Sequence, residues 1–351
     1  MDCDILVIGA GPAGSCAAEA AAKKGARVLV AERRKIVGVP VRCAGYIPRP
    51  LLGGLPFRDR SFIIQPVKAM RTVLPDGTIK ETRAPGLIIG RERFDNLLAH
   101  SARCAGAHVH TGLRAVDKKQ DDILLKDAER GMFWTRPAVI IGGDGPHSTV
   151  GRWMGQTPPR SIPGIQVRVS LTSPMDHTAV YFHPRIFGAY GWVFPRGDEA
   201  NVGLALSGGD GFPRSLKATL KWFVEKVAAE GKIKPGSGKL IFGWIPVEPR
   251  AQVLRNNMML AGDAAGHTHP ITGAGIANAM LAGRLAGKWA VRALRKGDLR
   301  VMRGYAETME EELKGHPWKG CGTTKPAGVG LEPVIRDTPL LLARVQGILR
   351  R

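Results

Sequence analysis

Long apolar runs are missing from this 351-residue chain, and none approaches the ~18–20 consecutive apolar residues that a bilayer-crossing helix needs. Aromatic residues make up only 6%, the basic residues are spread along the chain, and no RNA- or DNA-binding motif is found, which argues against nucleic acid as a partner. Cysteine is sparse: Cys3, Cys16, Cys43, Cys104 and Cys321 are scattered, odd in number and without a C-x-x-C pair. That argues against a zinc or iron–sulfur site and for a reducing compartment, the cytoplasm. The chain opens on a strand-like run with Asp2 and Asp4 in place of a basic leader, so no signal peptide is expected. No internal repeat and no low-complexity linker is found.

Acids are also scarce, 30 against 51 basic residues, leaving a net charge of +21 at pH 7. Such a field attracts an anionic membrane surface, an anionic substrate or an anionic redox partner. A basic bias in genome composition gives the same count with no partner at all. With 44% hydrophobic and 23% charged residues, the chain reads as globular and long enough for two domains.

What is present begins at once. The run Ile5–Ile8 reads as a buried parallel strand; Gly9, Gly11 and Gly14 follow with G-x-G-x-x-G spacing, then an alanine-rich helix, then a second strand ending in Glu32. The glycines allow a tight turn and close approach of a pyrophosphate to backbone N–H groups, and the terminal acid suits a ribose diol. Three later pieces point to the same ligand: Arg91 at a helix start, Asp144-Gly145 after the strand at 138–141, and Gly262-Asp263 before Gly273, Gly275 and Ile276. A carboxylate at Asp263 can hold the hydroxyls of a ribityl chain, and an amide-rich helix start at 273–276 can face a flavin pyrimidine. NAD has no ribityl chain, so motifs about 250 residues apart select FAD. His267 and His269 lie between those two FAD motifs without further candidate metal ligands, and a structural role is expected for them.

The expected fold class is α/β: a Rossmann-type FAD-binding domain with an inserted antiparallel β-sheet (α+β) substrate domain and a helical C-terminal tail. The first domain is placed at 1–60, 85–155 and 255–300, the second at 61–84 and 156–254, and the tail at 301–351. Runs near 166–172, 179–182, 190–194 and 200–206 read as strands, with a helix near 216–229. In a strand, Tyr190, Trp192 and Phe194 share one face. From spacing alone such a trio is more often core than ligand wall.

The set G-x-G-x-x-G, D-G-x-x-S (Asp144-Gly145-Pro146-His147-Ser148) and G-D-A-A-G resembles the FAD-dependent oxidoreductases that include aromatic hydroxylases. Two further features resemble geranylgeranyl reductases: Cys43-Ala44-Gly45 after the second strand, and Tyr190-Gly191-Trp192-Val193-Phe194-Pro195, similar to that family's Y-x-W-x-F-P signature. Arg196 stands where a lysine often follows the proline. The resemblance implies a flavoenzyme that saturates isoprenoid double bonds on a lipid, a chlorophyll precursor or a quinone. It implies cofactor contacts at Ala13, Glu32, Cys43, Ala44, Arg91, Ala115, Asp263, Gly275 and Ile276, with Tyr190, Trp192, Phe194 and Pro195 against substrate. Tyr190 and Trp192 are also expected to act in catalysis. Cys43 is expected at the flavin, as proton donor or paired with another cysteine such as Cys321. The expected electron donor is ferredoxin or NAD(P)H, and the expected location is cytoplasmic, peripheral on the inner membrane face. An NAD(P)H-dependent flavin monooxygenase and an electron-transfer flavoprotein are the alternatives.

Overall fold

The structure is a computed structural model that describes residues 2–313, without 208–214, 235, 237, 270 and 271. Cys321 and the basic, apolar end at 340–351 therefore lie outside the described residues, as does all of the expected tail beyond 313. In chain order the elements are β1 (Ile5–Ile8), α1 (Pro12–Ala22), β2 (Val28–Glu32), β3 (Tyr46–Pro48), β4 (Ile63–Val73), β5 (Ile79–Ile89), α2 (Arg91–Cys104), β6 (His108–Thr111), β7 (Leu113–Lys119), β8 (Asp122–Asp127), β9 (Gly131–Thr135), β10 (Val139–Gly142), α3 (Thr149–Trp153), β11 (Ser161–Ser170), β12 (His177–Tyr181), β13 (Gly191–Arg196), β14 (Glu199–Ala205), α4 (Leu216–Ala229), β15 (Ile241–Pro246), β16 (Leu254–Arg255), β17 (Met258–Leu260), α5 (Ile276–Lys296) and α6 (Arg303–Leu313).

Among the described residues they fall into two units, 2–40, Glu92–Ser161 and 246–313 in the first, Val41–Arg91 and Ile162–Ile245 in the second. The first unit holds a six-stranded sheet in the order β16-β17-β10-β1-β2-β6, parallel except for the β16–β17 pair. Its four central strands, β17, β10, β1 and β2, are buried on both faces, which is why they read as apolar runs. Small residues of α1 and α5 cover one face. A Cβ at Gly283 would stand 2.1 Å from the Ala13 carbonyl oxygen, so these two helices approach to backbone contact. The antiparallel sheet β7-β8-β9 packs on the other face, with Leu113 and Leu125 fully buried against Leu6 and Ile140. Helix α6 is tied back by Tyr305, whose hydroxyl donates to the Leu260 carbonyl at 2.6 Å.

The second unit is an eight-stranded sheet, β15-β11-β14-β13-β12-β4-β5-β3. Its assigned pairings are antiparallel except β12 with β4, which run parallel. Residues 41–60 and 85–91, placed from sequence with the FAD-binding domain, belong to this unit. The reason is β3, which pairs with the last turn-free stretch of β5 and closes the sheet edge. Helix α4 covers one sheet face through Leu220, Phe223 and Val227, packed on Val167, Val193 and Val202. By strand alternation the other face carries Gln166, Arg168, Trp192, Phe194, Asn201 and Gly203.

Candidate active site

In the first unit the glycine turn is held by contacts that leave no room for side chains. A Cβ on Gly14 would lie 1.8 Å from the Gly9 carbonyl oxygen, and one on Gly143 would lie 2.7 Å from the Gly14 nitrogen. Gly9 itself has φ +95°, the left-handed region. Gly11 is different: a Cβ there would meet nothing within 4 Å. Helix α1 starts at that point with no side-chain cap and no acid in its first turn, so its N-terminal amides and the positive end of its dipole are left for an anion. Glu32 ends β2 nearly buried. It accepts bonds from the Ala10 amide at 2.8 Å and the Arg34 amide at 2.9 Å, which lock the carboxylate beside the turn and leave lone pairs over for a diol.

The other motifs of this unit gather around the same turn. A Cβ on Gly262 (φ +66°) would stand 2.9 Å from that of Ala13 and 3.2 Å from that of Ala279. Asp263 accepts from the Thr268 hydroxyl at 2.9 Å, and the Cβ position of Gly275 is 3.4 Å from the same carboxylate oxygen. Gly275 caps α5, again without a side-chain cap, and Ile276 is the first residue of that helix. Gly273 donates its amide to the His269 carbonyl at 2.9 Å. Pro270 and Ile271, between them, are outside the described residues. This combination fits a dinucleotide: an open position at Gly11, two uncapped helix starts and two carboxylates held at fixed distances.

Three further residues read from sequence as cofactor contacts stand as follows. Asp144 has one oxygen on the Ser148 hydroxyl and the other on the Thr149 amide, both at 2.6 Å, and Ser148 in turn caps α3 through the Gly151 amide. Gly145 follows at φ +85°, so D-G-x-x-S is first a self-bonded loop at the end of β10. Burial pushes the Asp144 carboxyl above its ordinary range. Ala115 is buried in β7 beside Ile8 and Ala31. Arg91 heads α2, half-buried, as the last residue of its segment of the second unit.

Arg250 was not legible as a site residue, yet it ties the loops together. It is 6% exposed; its guanidinium donates to the Ala264 carbonyl at 2.7 Å and also to the carbonyls of Thr157 and Pro146. One cation thus fixes the D-G-x-x-S and G-D-A-A-G loops. A lone arginine after a proline in a loop carries no sequence signal for this.

His267 is buried, and its Nδ1 has no hydrogen-bond partner. Burial holds the imidazole down from its ordinary 6.5 to about 4. The folded value is below the unfolded one, so the contribution is fully present above about pH 6.5 and is lost as pH falls toward about 4. A shift of this size corresponds to up to about 3 kcal/mol. The urea midpoint is therefore expected to drop across that window, and to drop less steeply in His267→Gln. An equal slope in the variant would assign the pH dependence to other groups. His269 has a structural bond too, accepting the Thr272 amide on Nδ1 at 3.2 Å.

In the second unit the face opposite α4 is built around one buried amide. Gln166 accepts the Trp192 indole N–H at 3.1 Å and donates to the Cys43 carbonyl at 3.2 Å. Asn201 donates to the next carbonyl, Ala44, at 2.9 Å. Gly203 makes this possible: a Cβ there would lie 2.5 Å from that of Gln166 and 2.6 Å from the Trp192 ring. The loop of Cys43, Ala44 and Gly45 is thereby held over the sheet, with Gly45 (φ +92°) accepting from the Ile89 amide at 2.8 Å. Tyr190 precedes β13 instead of lying in it; its ring is edge-on to Trp192 at 6.2 Å between centroids, and Phe194 is edge-on to Tyr46 at 6.3 Å. Burial, with the neighbouring Cys43 second, pushes the Tyr190 hydroxyl above its ordinary range. Alternation turns Pro195 to the opposite face. Neither Gln166 nor Asn201 was legible from sequence, because the loop carbonyls they hold stand more than a hundred residues away.

Comparison with known proteins fits both halves. The FAD dependent oxidoreductase family matches residues 4–38. Digeranylgeranylglycerophospholipid reductase of Methanosarcina acetivorans is 37% identical over 336 residues, covering 89% of this chain and 81% of that protein. Digeranylgeranylglycerophospholipid reductase 1 of Methanopyrus kandleri is 33% identical, covering 90% and 88%. Among solved structures, a geranylgeranyl bacteriochlorophyll reductase-like protein of Thermoplasma acidophilum superposes with a TM-score of 0.80 at 31% identity, covering 88% of this chain and 83% of that one. Aklavinone-11 hydroxylase, at 20% identity and a TM-score of 0.66, shares the fold. A glycine turn, a held acid and an aromatic sheet face thus occur in a chain that such reductases match over most of its length, and the chain belongs to the geranylgeranyl reductase family of FAD-dependent oxidoreductases, with FAD as its cofactor.

Proposed function

We propose that the protein reduces carbon–carbon double bonds in the prenyl chains of a glycerophospholipid, the substrate class in the names of its relatives. The observation that carries this reading is the aromatic sheet face with its anchored thiol loop. When bound and reduced, FAD supplies the hydride. The chain's own tasks are to hold the cofactor, to lay out an apolar chain and to deliver a proton. Glu32, Asp263 and the starts of α1 and α5 suit the first task. Tyr190, Trp192 and Phe194 suit the second: edge-on rings offer an apolar surface of defined shape, and the indole of Trp192 cannot turn because Gln166 holds it. Cys43 suits the third. An isolated alkene accepts hydride poorly, so a proton must arrive at the second carbon as the hydride reaches the first.

Gln166→Leu removes both the acceptor of the Trp192 N–H and the donor to the Cys43 carbonyl. Turnover is expected to fall about tenfold through misplacement of the thiol and the ring, with FAD content unchanged. The unpaired indole should cost about 1–2 kcal/mol of stability. Wild-type turnover in a folded Gln166→Leu protein would show that the amide only packs.

With a charge of +21 and no described helix long and apolar enough to cross a membrane, we place the enzyme on the surface of an anionic membrane, where its substrate resides. Electrons come from ferredoxin or NAD(P)H. The reading is tested by supplying a chemical reductant and a digeranylgeranyl glycerophospholipid and following the lipid by mass. Gain of two mass units per reduced bond is expected. Rapid NAD(P)H oxidation with oxygen uptake and an unaltered lipid would favour a monooxygenase instead.

A further inference from the structure

Beyond the aromatic wall, the same sheet face changes character. Trp192, Phe194 and Arg196 alternate onto it along β13, Arg168 reaches it from β11, and Glu199 lies opposite Arg196 on β14. Beside them is a cavity of about 480 Å³, lined by Arg168, Ser170, Glu199, Lys234 and Lys239 among others. Three cations line it against one carboxylate, and Arg196 on β13 pairs in register with the residue that carries that carboxylate, Glu199. The carboxylate does not satisfy them. Glu199 stands 3.7 Å from the Arg168 Nε, and that Nε is buried without a hydrogen-bond partner. Arg168 and Arg196 stand close enough that, after burial, the Arg168 charge is the next cause lowering the pKa of Arg196. Like charges held together short of acceptors are a cost that a bridging anion would remove, and planar guanidinium forks match phosphate oxygens in pairs.

We propose that this cavity seats the phosphate of the substrate headgroup, with Arg168 and Arg196 as its donors and Lys234 and Lys239 as flanking charges. The inference rests on the prenyl-lipid reading above and names the end of the lipid that reading leaves open. Four residues along a strand span ~13 Å, so a phosphate at Arg196 starts the prenyl chain at Phe194 and leads it toward Trp192 and the Cys43 loop. The site thus sets how far along the chain the reacting bond lies.

The test is equilibrium binding to the oxidised holoenzyme, read by quenching of tryptophan fluorescence. The two probes are digeranylgeranylglyceryl phosphate and the uncharged digeranylgeranylglycerol. The wild type is expected to bind the phosphate lipid about tenfold or more tightly than the neutral one. That preference should vanish in Arg168→Gln/Arg196→Gln and shrink in Lys239→Gln, which keeps both arginines should the double variant fail to fold. Affinity for the neutral lipid should not change. Inorganic phosphate should compete with the phosphate lipid alone; inorganic phosphate bound alongside the lipid without competition would mark a free-phosphate site and overturn the headgroup assignment. Equal wild-type affinities, or a preference that survives the substitutions, would overturn it as well. Because binding is read without turnover, reduction assays on the same samples separately report whether the prenyl-lipid reading holds.

Discussion

Gly11→Val is expected to give a folded protein that has lost its flavin. Gly11 has φ −72° and ψ −176°, extended backbone that any residue adopts, and a Cβ there meets nothing within 4 Å. The fold therefore has room for the side chain. The room is in front of the α1 amides, where the cofactor pyrophosphate is to be held. A valine there should weaken FAD binding about 100-fold, or roughly 2.7 kcal/mol, while the melting temperature of the cofactor-free protein stays close to that of cofactor-free wild type. Gly14→Ala makes the contrast. Its Cβ would sit 1.8 Å from a carbonyl oxygen, so the turn itself must move, and a loss of about 3 kcal/mol in stability is expected. FAD titration and thermal melts of the two variants separate the roles. Unweakened FAD binding by Gly11→Val would show that the pyrophosphate does not lie there.

Cys43→Ala should leave FAD content and stability unchanged and slow substrate reduction about 100-fold. The loop is held through carbonyl oxygens, those of Cys43 and Ala44, so removing the sulfur leaves its anchors in place. The chemistry of the other thiols in the interior differs. Cys16 is buried in α1 and pushed up to about 12 by that burial, and Cys3 is raised for the same reason. Both are inert packing groups. Cys43 is only half-buried and lies near the Tyr190 hydroxyl, which burial keeps protonated. A proton lost to the substrate at Cys43 can be replaced from solvent. Single-turnover reduction of a prenyl lipid by Cys43→Ala measures the step, and an unchanged rate would remove the thiol from the chemistry.

How much of this was legible in the chain differs between the units for a physical reason. In the first unit the motifs are local. Strand, glycine turn, helix and terminal acid follow each other within 28 residues, from Ile5 to Glu32, and each residue's requirement is set by its neighbours. The D-G-x-x-S segment was equally visible; what was not is that both oxygens of Asp144 are engaged within the loop. In the second unit the strands at β11 to β14 were readable from composition, and the shared face of Trp192 and Phe194 from alternation. What joins them was not. Gln166 and Asn201 look like any polar residue on a strand until the pairing of β11 with β14 brings both to the carbonyls of Cys43 and Ala44. Nor does a pattern of alternating residues reveal that β12 lies parallel to β4, or that β3 belongs to the sheet edge. Arg196 was visible only as the residue after a proline; its neighbour Arg168 is supplied by a strand 28 positions earlier.

The central claim, that reduced flavin in this chain saturates a prenyl double bond, is tested most directly without oxygen. The bound FAD is reduced chemically, excess reductant is removed, and a digeranylgeranyl glycerophospholipid is added while flavin absorbance is followed. Return of the oxidised flavin spectrum, with a gain of two hydrogens in the lipid for each flavin reoxidised, is the expected result. A flavin that stays reduced in the presence of every prenyl lipid, yet reoxidises at once when oxygen is admitted, would contradict the account.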